Sequence, residues 1–107
     1  MSIIGDKFKV CVTHPIGSIF ESNENIIFKV NYGEIEGVLD AEGNPQKAYI
    51  LGVDEPVSEY EGRLIAIVHR TNDLENIWVI SNFHYSKEEI KNAIDFMEKY
   101  FNIEVIV

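Results

Sequence analysis

Acidic side chains recur in pairs at three polar turns of the chain: Asp40 with Glu42, Asp54 with Glu55, and Asp73 with Glu75. Carboxylates gathered at turns and strand ends are the donors that hard divalent ions take. Such ions neutralise phosphoryl oxygens and convert a bound water into hydroxide. Lys47, Arg70, Lys29 and Arg63 are the cations available to stabilise a phosphate beside them. Each acidic pair taken alone is what a solvated turn ordinarily carries, and each cation is a common surface side chain laid over apolar neighbours. The order of the three turns along the chain raises the odds of such a site.

Other chemistries find less support. His14, His69 and His84 lie far apart with no ligand spacing among them, which argues against zinc. Ser18, Ser81 and Cys11 sit in no nucleophile elbow, and there is neither a GxxxxGK[ST] loop nor a GxGxxG turn. Nine basic residues against eighteen acidic ones give a formal charge of −9, which repels nucleic acid and anionic membrane surfaces as partners. The N-terminal apolar group is only Ile3-Ile4, and no run approaches the ~20 residues of a membrane span, so a cytoplasmic location is expected. Cys11, the sole cysteine, lies in the run Phe8-Lys9-Val10-Cys11-Val12 and is expected to be a buried small hydrophobe. The length of 107 residues, 46% of them hydrophobic, suits one domain over 1–107 with a single sizeable core.

The elements that would position the site follow from periodicity. Alternation predicts strands at about 7–13, with Phe8, Val10 and Val12 on one face, and at about 26–31, with Ile26, Phe28 and Val30 on one face. A third strand over 34–39 leads into the polar turn Asp40-Ala41-Glu42-Gly43-Asn44-Pro45. The denser apolar runs 48–52, 64–69 and 77–80 fit strands covered on both faces. Ser86-Lys87-Glu88-Glu89 is a capping box, opening a helix over about 87–101 with Ile90, Ala93, Ile94, Met97 and Phe101 on its apolar face. Residues 103–107 read as a last strand or an extended tail on the barrel. Mostly β with one C-terminal helix (α+β), the pattern predicts an OB-like closed barrel of five to six antiparallel strands, with an open α+β sheet as the alternative.

From about residue 10 onward the chain resembles the class I soluble inorganic pyrophosphatases, above all their short bacterial members. The resemblance rests on Asn31-Tyr32-Gly33, Tyr49-Ile50-Leu51-Gly52, Ile65-Ala66-Ile67-Val68-His69-Arg70 and Ser86-Lys87-Glu88-Glu89-Ile90. It implies a pyrophosphatase-like barrel, Mg²⁺ or Mn²⁺ as cofactor, pyrophosphate or another phosphate compound as ligand, and assembly into a homo-oligomer through barrel surfaces. It also makes Tyr32 a phosphate-side residue.

The family's metal-binding run, Asp-Gly-Asp-Pro-x-Asp, corresponds here to Glu42-Gly43-Asn44-Pro45-Gln46-Lys47. One acid is a longer glutamate, one is a neutral amide, and one is a lysine. A lysine at ~4 Å from Mg²⁺ is repelled by roughly 8 kcal/mol before relaxation at an effective dielectric near 20. The acidic loop is kept as Asn72-Asp73-Leu74-Glu75, but the lysine expected beyond it is Ile77. The family's N-terminal arginine is His14, and the second tyrosine after Asn-Tyr-Gly is Glu34.

Three functions follow from these departures. The first is a catalytically impaired, inorganic-pyrophosphatase-like protein that binds a phosphate compound through Tyr32, Lys47 and Arg70, or binds a protein partner. The second is an active Mg/Mn-dependent inorganic diphosphatase, with Glu42, Asp73 and Glu75 on the metal and Asp40, Asp54 or Glu55 in place of a lost ligand. The third is a structural or interaction module.

Overall fold

A computed structural model describes residues 4–71 and 75–107. Alternation becomes pairing in β1 (Lys7–His14), β2 (Ile19–Phe20), β3 (Asn23–Ile27), β4 (Asn31–Leu39), β5 (Pro45–Ile50), β6 (Glu59–Arg70) and β7 (Asn76–Ser81). They are followed by α1 (Lys87–Glu98) and β8 (Ile103–Ile106). The large sheet runs β1-β4-β5-β7-β6-β8 and β1 also pairs with β6, so five strands close into a barrel and β8 extends it from β6. The expected closed barrel is present, and the C-terminal segment is its added strand.

The barrel is not wholly antiparallel, as the alternation alone suggested. The β6–β7 hairpin folds back so that β7 inserts between β6 and β5, and this leaves β7 parallel to β5. The strand expected at 26–31 is also divided. Phe28 exchanges backbone hydrogen bonds with Gly17 and Ser18, closing the small β2–β3 sheet, and β4 begins only at Asn31. Ile26 and Phe28 are nevertheless buried together on one side, as their spacing requires.

Two apolar clusters use opposite faces of the same strands. Val10, Ile35, Ala48, Ile50, Leu64, Trp78 and Ile80 pack together inside the barrel. Tyr49, Leu51, Ala66, Val68, Ile77 and Val79 pack outward, against Ile90, Ile94, Phe96 and Met97 of α1. The dense runs at 48–52, 64–69 and 77–80 are thus covered on both sides. A register shift between Leu64 and Ala66 lets Leu64 join the inner cluster while Ala66 and Val68 join the outer one.

Helix α1 starts as its sequence requires: Glu89 N–H donates to the Ser86 hydroxyl and Ser86 N–H donates to Glu89 Oε1, completing a capping box. It ends at Glu98, three residues before the expected stop, and Phe101 N–H bonds the Glu98 carbonyl as the chain turns toward β8. Cys11 is exposed, against expectation. Val10 points into the barrel, so the period of two turns Cys11 outward, beside Glu36.

Candidate functional site

The register of β4 against β5 places Tyr32 opposite Tyr49 and Glu34 opposite Lys47. Ile35, Ala48 and Ile50 point into the barrel, so the alternate residues Tyr32, Glu34, Lys47 and Tyr49 share its outer wall. The motif Asn31-Tyr32-Gly33 gains a physical meaning here. Asn31 is fully buried; its Oδ1 accepts from Ile16 N–H and Val57 N–H, and its Nδ2 donates to the Glu55 carbonyl, tying two loops to the start of β4. Gly33 lets β1 lie close, since a Cβ there would sit 2.1 Å from the Cys11 carbonyl oxygen. Tyr32 is left between them with its ring in the cleft.

A chain of polar contacts runs from the core to the rim. The Tyr49 hydroxyl donates to Glu98 Oε2 at 2.5 Å. Arg70 grips the same carboxylate twice, from Nε to Oε1 at 2.8 Å and from Nη2 to Oε2 at 2.6 Å. Its Nη1 donates to Glu75 Oε2 at 3.3 Å, and Glu75 Oε1 lies 3.7 Å from Lys47 Nζ. The guanidinium also sits 3.9 Å above the Phe101 ring.

Burial divides this chain into two kinds of charge. Glu98 and Arg70 are 2% and 7% exposed. Burial alone would lower the Arg70 pKa, but the hydrogen bonds and charge of Glu98 outweigh it and hold the guanidinium above the ordinary arginine value. The side chains of Lys47 and Glu75 are 44% and 35% exposed, and a long, screened pair of this kind contributes about 0–1 kcal/mol. The Tyr32 phenol is pushed up by burial first and then by Glu75, so it is a neutral hydrogen-bond donor at physiological pH.

Tyr32, Lys47, Arg70 and Glu75 line one cleft of about 610 Å³, bounded by His14, Phe20 and Glu21 on one side and by Met97 and Phe101 on the other. Glu42 lines an adjoining hollow of about 390 Å³ with Glu34, Asp40, Lys47 and Glu75. Asp40 already has a structural task there, since its Oδ1 accepts the N–H groups of Glu42 and Asn44 and folds the turn. Asp73 lies outside the described residues. Asp54, Glu55, Lys29 and Arg63 line neither space. His14 stacks on Phe28 with ring centroids 4.8 Å apart and meets Glu21 Oε2 at 2.8 Å, while Ile77 is fully buried in the outer core.

Among the described residues, no group of three or more His, Cys, Asp or Glu side chains is placed to hold a metal ion. Of the acids named for Mg²⁺, Glu42 projects from an exposed turn and Glu75 lies between two cations. Among the described residues, Lys47 and Arg70 already compensate the Glu75 carboxylate.

Glu98 and Glu21 are not named from the sequence, and Tyr49 and Glu34 are named only through the resemblance. Glu98 had a signal: it continues the four-residue spacing of Ile90 and Ile94, so a charge falls on the apolar stripe of the helix.

Comparison with known proteins places this architecture. No protein-family model and no curated protein matches the chain. Solved structures do. The inorganic pyrophosphatase of Ehrlichia chaffeensis superposes with a TM-score of 0.70 at 12% identity, covering 96% of this chain and 86% of the other. That of Helicobacter pylori gives 0.62 at 14% identity, covering 98% and 86%. An inorganic phosphatase of Anaplasma phagocytophilum gives 0.59 at 14% identity, covering 92% and 81%. The barrel and helix are those of the inorganic pyrophosphatase fold.

Proposed function

We propose that this pyrophosphatase-like protein binds a phosphate compound at Lys47 and has lost most of the multi-metal hydrolysis that the resemblance implies. The observation that carries this reading is the position of Lys47, a cation on the outer wall of the barrel whose internal partner is weakly held at 3.7 Å. A phosphate oxygen makes a shorter, charge-assisted hydrogen bond to an ammonium than Glu75 does at that distance, so a bound phosphate displaces the carboxylate. Tyr32 supplies a neutral hydroxyl donor. Arg70 serves through its Nη1 edge, the rest of the guanidinium being committed to Glu98. In this reading Lys47 does directly what a metal ion does in a pyrophosphatase.

The runner-up is a working diphosphatase using Mg²⁺ or Mn²⁺. It is favoured by the hollow in which Glu42 and Glu75 both take part. Phosphate release from pyrophosphate with either ion, in the presence and absence of EDTA, separates the two. Metal-dependent turnover abolished by Glu75→Gln supports the enzyme, whereas silence together with metal-free phosphate binding supports the binder. A homo-oligomer would leave both readings intact.

A further inference from the structure

The cleft beside Lys47 carries more aromatic surface than a phosphate group needs. His14, Phe20, Tyr32 and Phe101 reach it with partly exposed rings, over a floor formed by the buried Phe28. His14, Phe20, Tyr32 and Phe28 form a connected wall: His14 lies 6.1 Å from Phe20 and 5.8 Å from Tyr32, centroid to centroid, and Phe28 lies 5.4 Å from Tyr32, while Phe101 packs against Arg70. An anion alone gains nothing from such a wall, whereas a flat ring stacks on it. The space of about 610 Å³ is of the size that encloses a small organic ligand.

Charge sets how many phosphates that ligand carries. Glu21, Glu34 and Glu75 line the cleft against Lys47 and Arg70, and Arg70 is committed to Glu98. Among the described lining residues, three carboxylates face Lys47 and one guanidinium edge of Arg70, a balance that suits a single phosphate better than a chain of them. The carboxylates are acceptors for the hydroxyls of a sugar or the amino group of a base. Resting on the binding reading above, we infer that the ligand is a nucleoside monophosphate, with its phosphate at Lys47, its sugar toward the carboxylates and its base against the aromatic wall.

Calorimetric titration of the full chain in EDTA with AMP, ribose 5-phosphate and inorganic phosphate tests this. AMP is expected to bind about tenfold or more tightly than ribose 5-phosphate, the increment one stacked base supplies. Phe20→Leu keeps the apolar volume and should shrink that ratio while leaving ribose 5-phosphate affinity unchanged; Lys47→Ala should weaken both. Equal affinities for AMP and ribose 5-phosphate would overturn the aromatic subsite and leave the phosphate reading standing. Binding of none of the three probes would overturn both.

Discussion

Glu98, near the C-terminal end of α1, holds Arg70, the last residue of β6, through two hydrogen bonds of 2.6 and 2.8 Å in a space that leaves both side chains nearly without solvent. The pair fastens the helix to the barrel at the floor of the cleft and aims the remaining guanidinium edge at Glu75. Removing one partner leaves the other charge buried, so Glu98→Gln is expected to cost about 3–5 kcal/mol in urea unfolding. The double change Glu98→Leu with Arg70→Met should cost less than the sum of the two single changes, because no charge is then stranded.

Alkaline pH should expose the same network. Burial first, then the charge of Glu98, raises the Tyr49 phenol well above its ordinary value, and Tyr32 is raised in the same direction. A phenol with a folded pKa above its unfolded one contributes stability that is complete below about pH 10 and is lost as pH rises through the folded value. The urea midpoint of the wild type should therefore fall above about pH 10. That of Tyr49→Phe should fall less steeply from a lower start, having lost a hydrogen bond to a charged acceptor worth about 1.5–3 kcal/mol.

Two glycines should respond differently to alanine. At Gly33 the new Cβ meets the Cys11 backbone at 2.1 Å, and a destabilisation of about 3 kcal/mol with loss of ligand binding is expected because Tyr32 moves with it. At Gly43, where φ is +86° and nothing lies within 4 Å of the added atom, only the left-handed backbone opposes the change, at about 1–2 kcal/mol. Thermal unfolding of both variants checks the difference.

Cys11 should react with a thiol reagent in the native protein at nearly the rate of the unfolded chain, since its side chain faces solvent. Protection until denaturant is added would contradict that exposure.

The sequence made the barrel legible because its signals are local. Alternation in 7–13, the two-sided apolar runs and the capping box at Ser86 each reflect contacts within one element. What escaped is set by contacts distant in sequence. The division of the 26–31 segment depends on Phe28 bonding Gly17 and Ser18, and the parallel β5–β7 pair depends on where the hairpin lands. Cys11 was misread by composition although the alternation of its own strand turned it outward. In the site, Tyr32, Lys47 and Arg70 do meet in one cleft. The internal partners Glu98 and Glu75, which decide which cation is exchangeable, become visible only once β6, β5 and α1 are packed together.

That Lys47 takes the place of a metal ion toward phosphate is tested most directly by titrating inorganic phosphate into the wild type and Lys47→Ala by calorimetry in EDTA. Binding by the wild type that is weakened at least about tenfold in Lys47→Ala, with unfolding stability changed by less than about 1 kcal/mol, is the predicted result. Binding that requires Mg²⁺, or that is unchanged by the loss of Lys47, would contradict it.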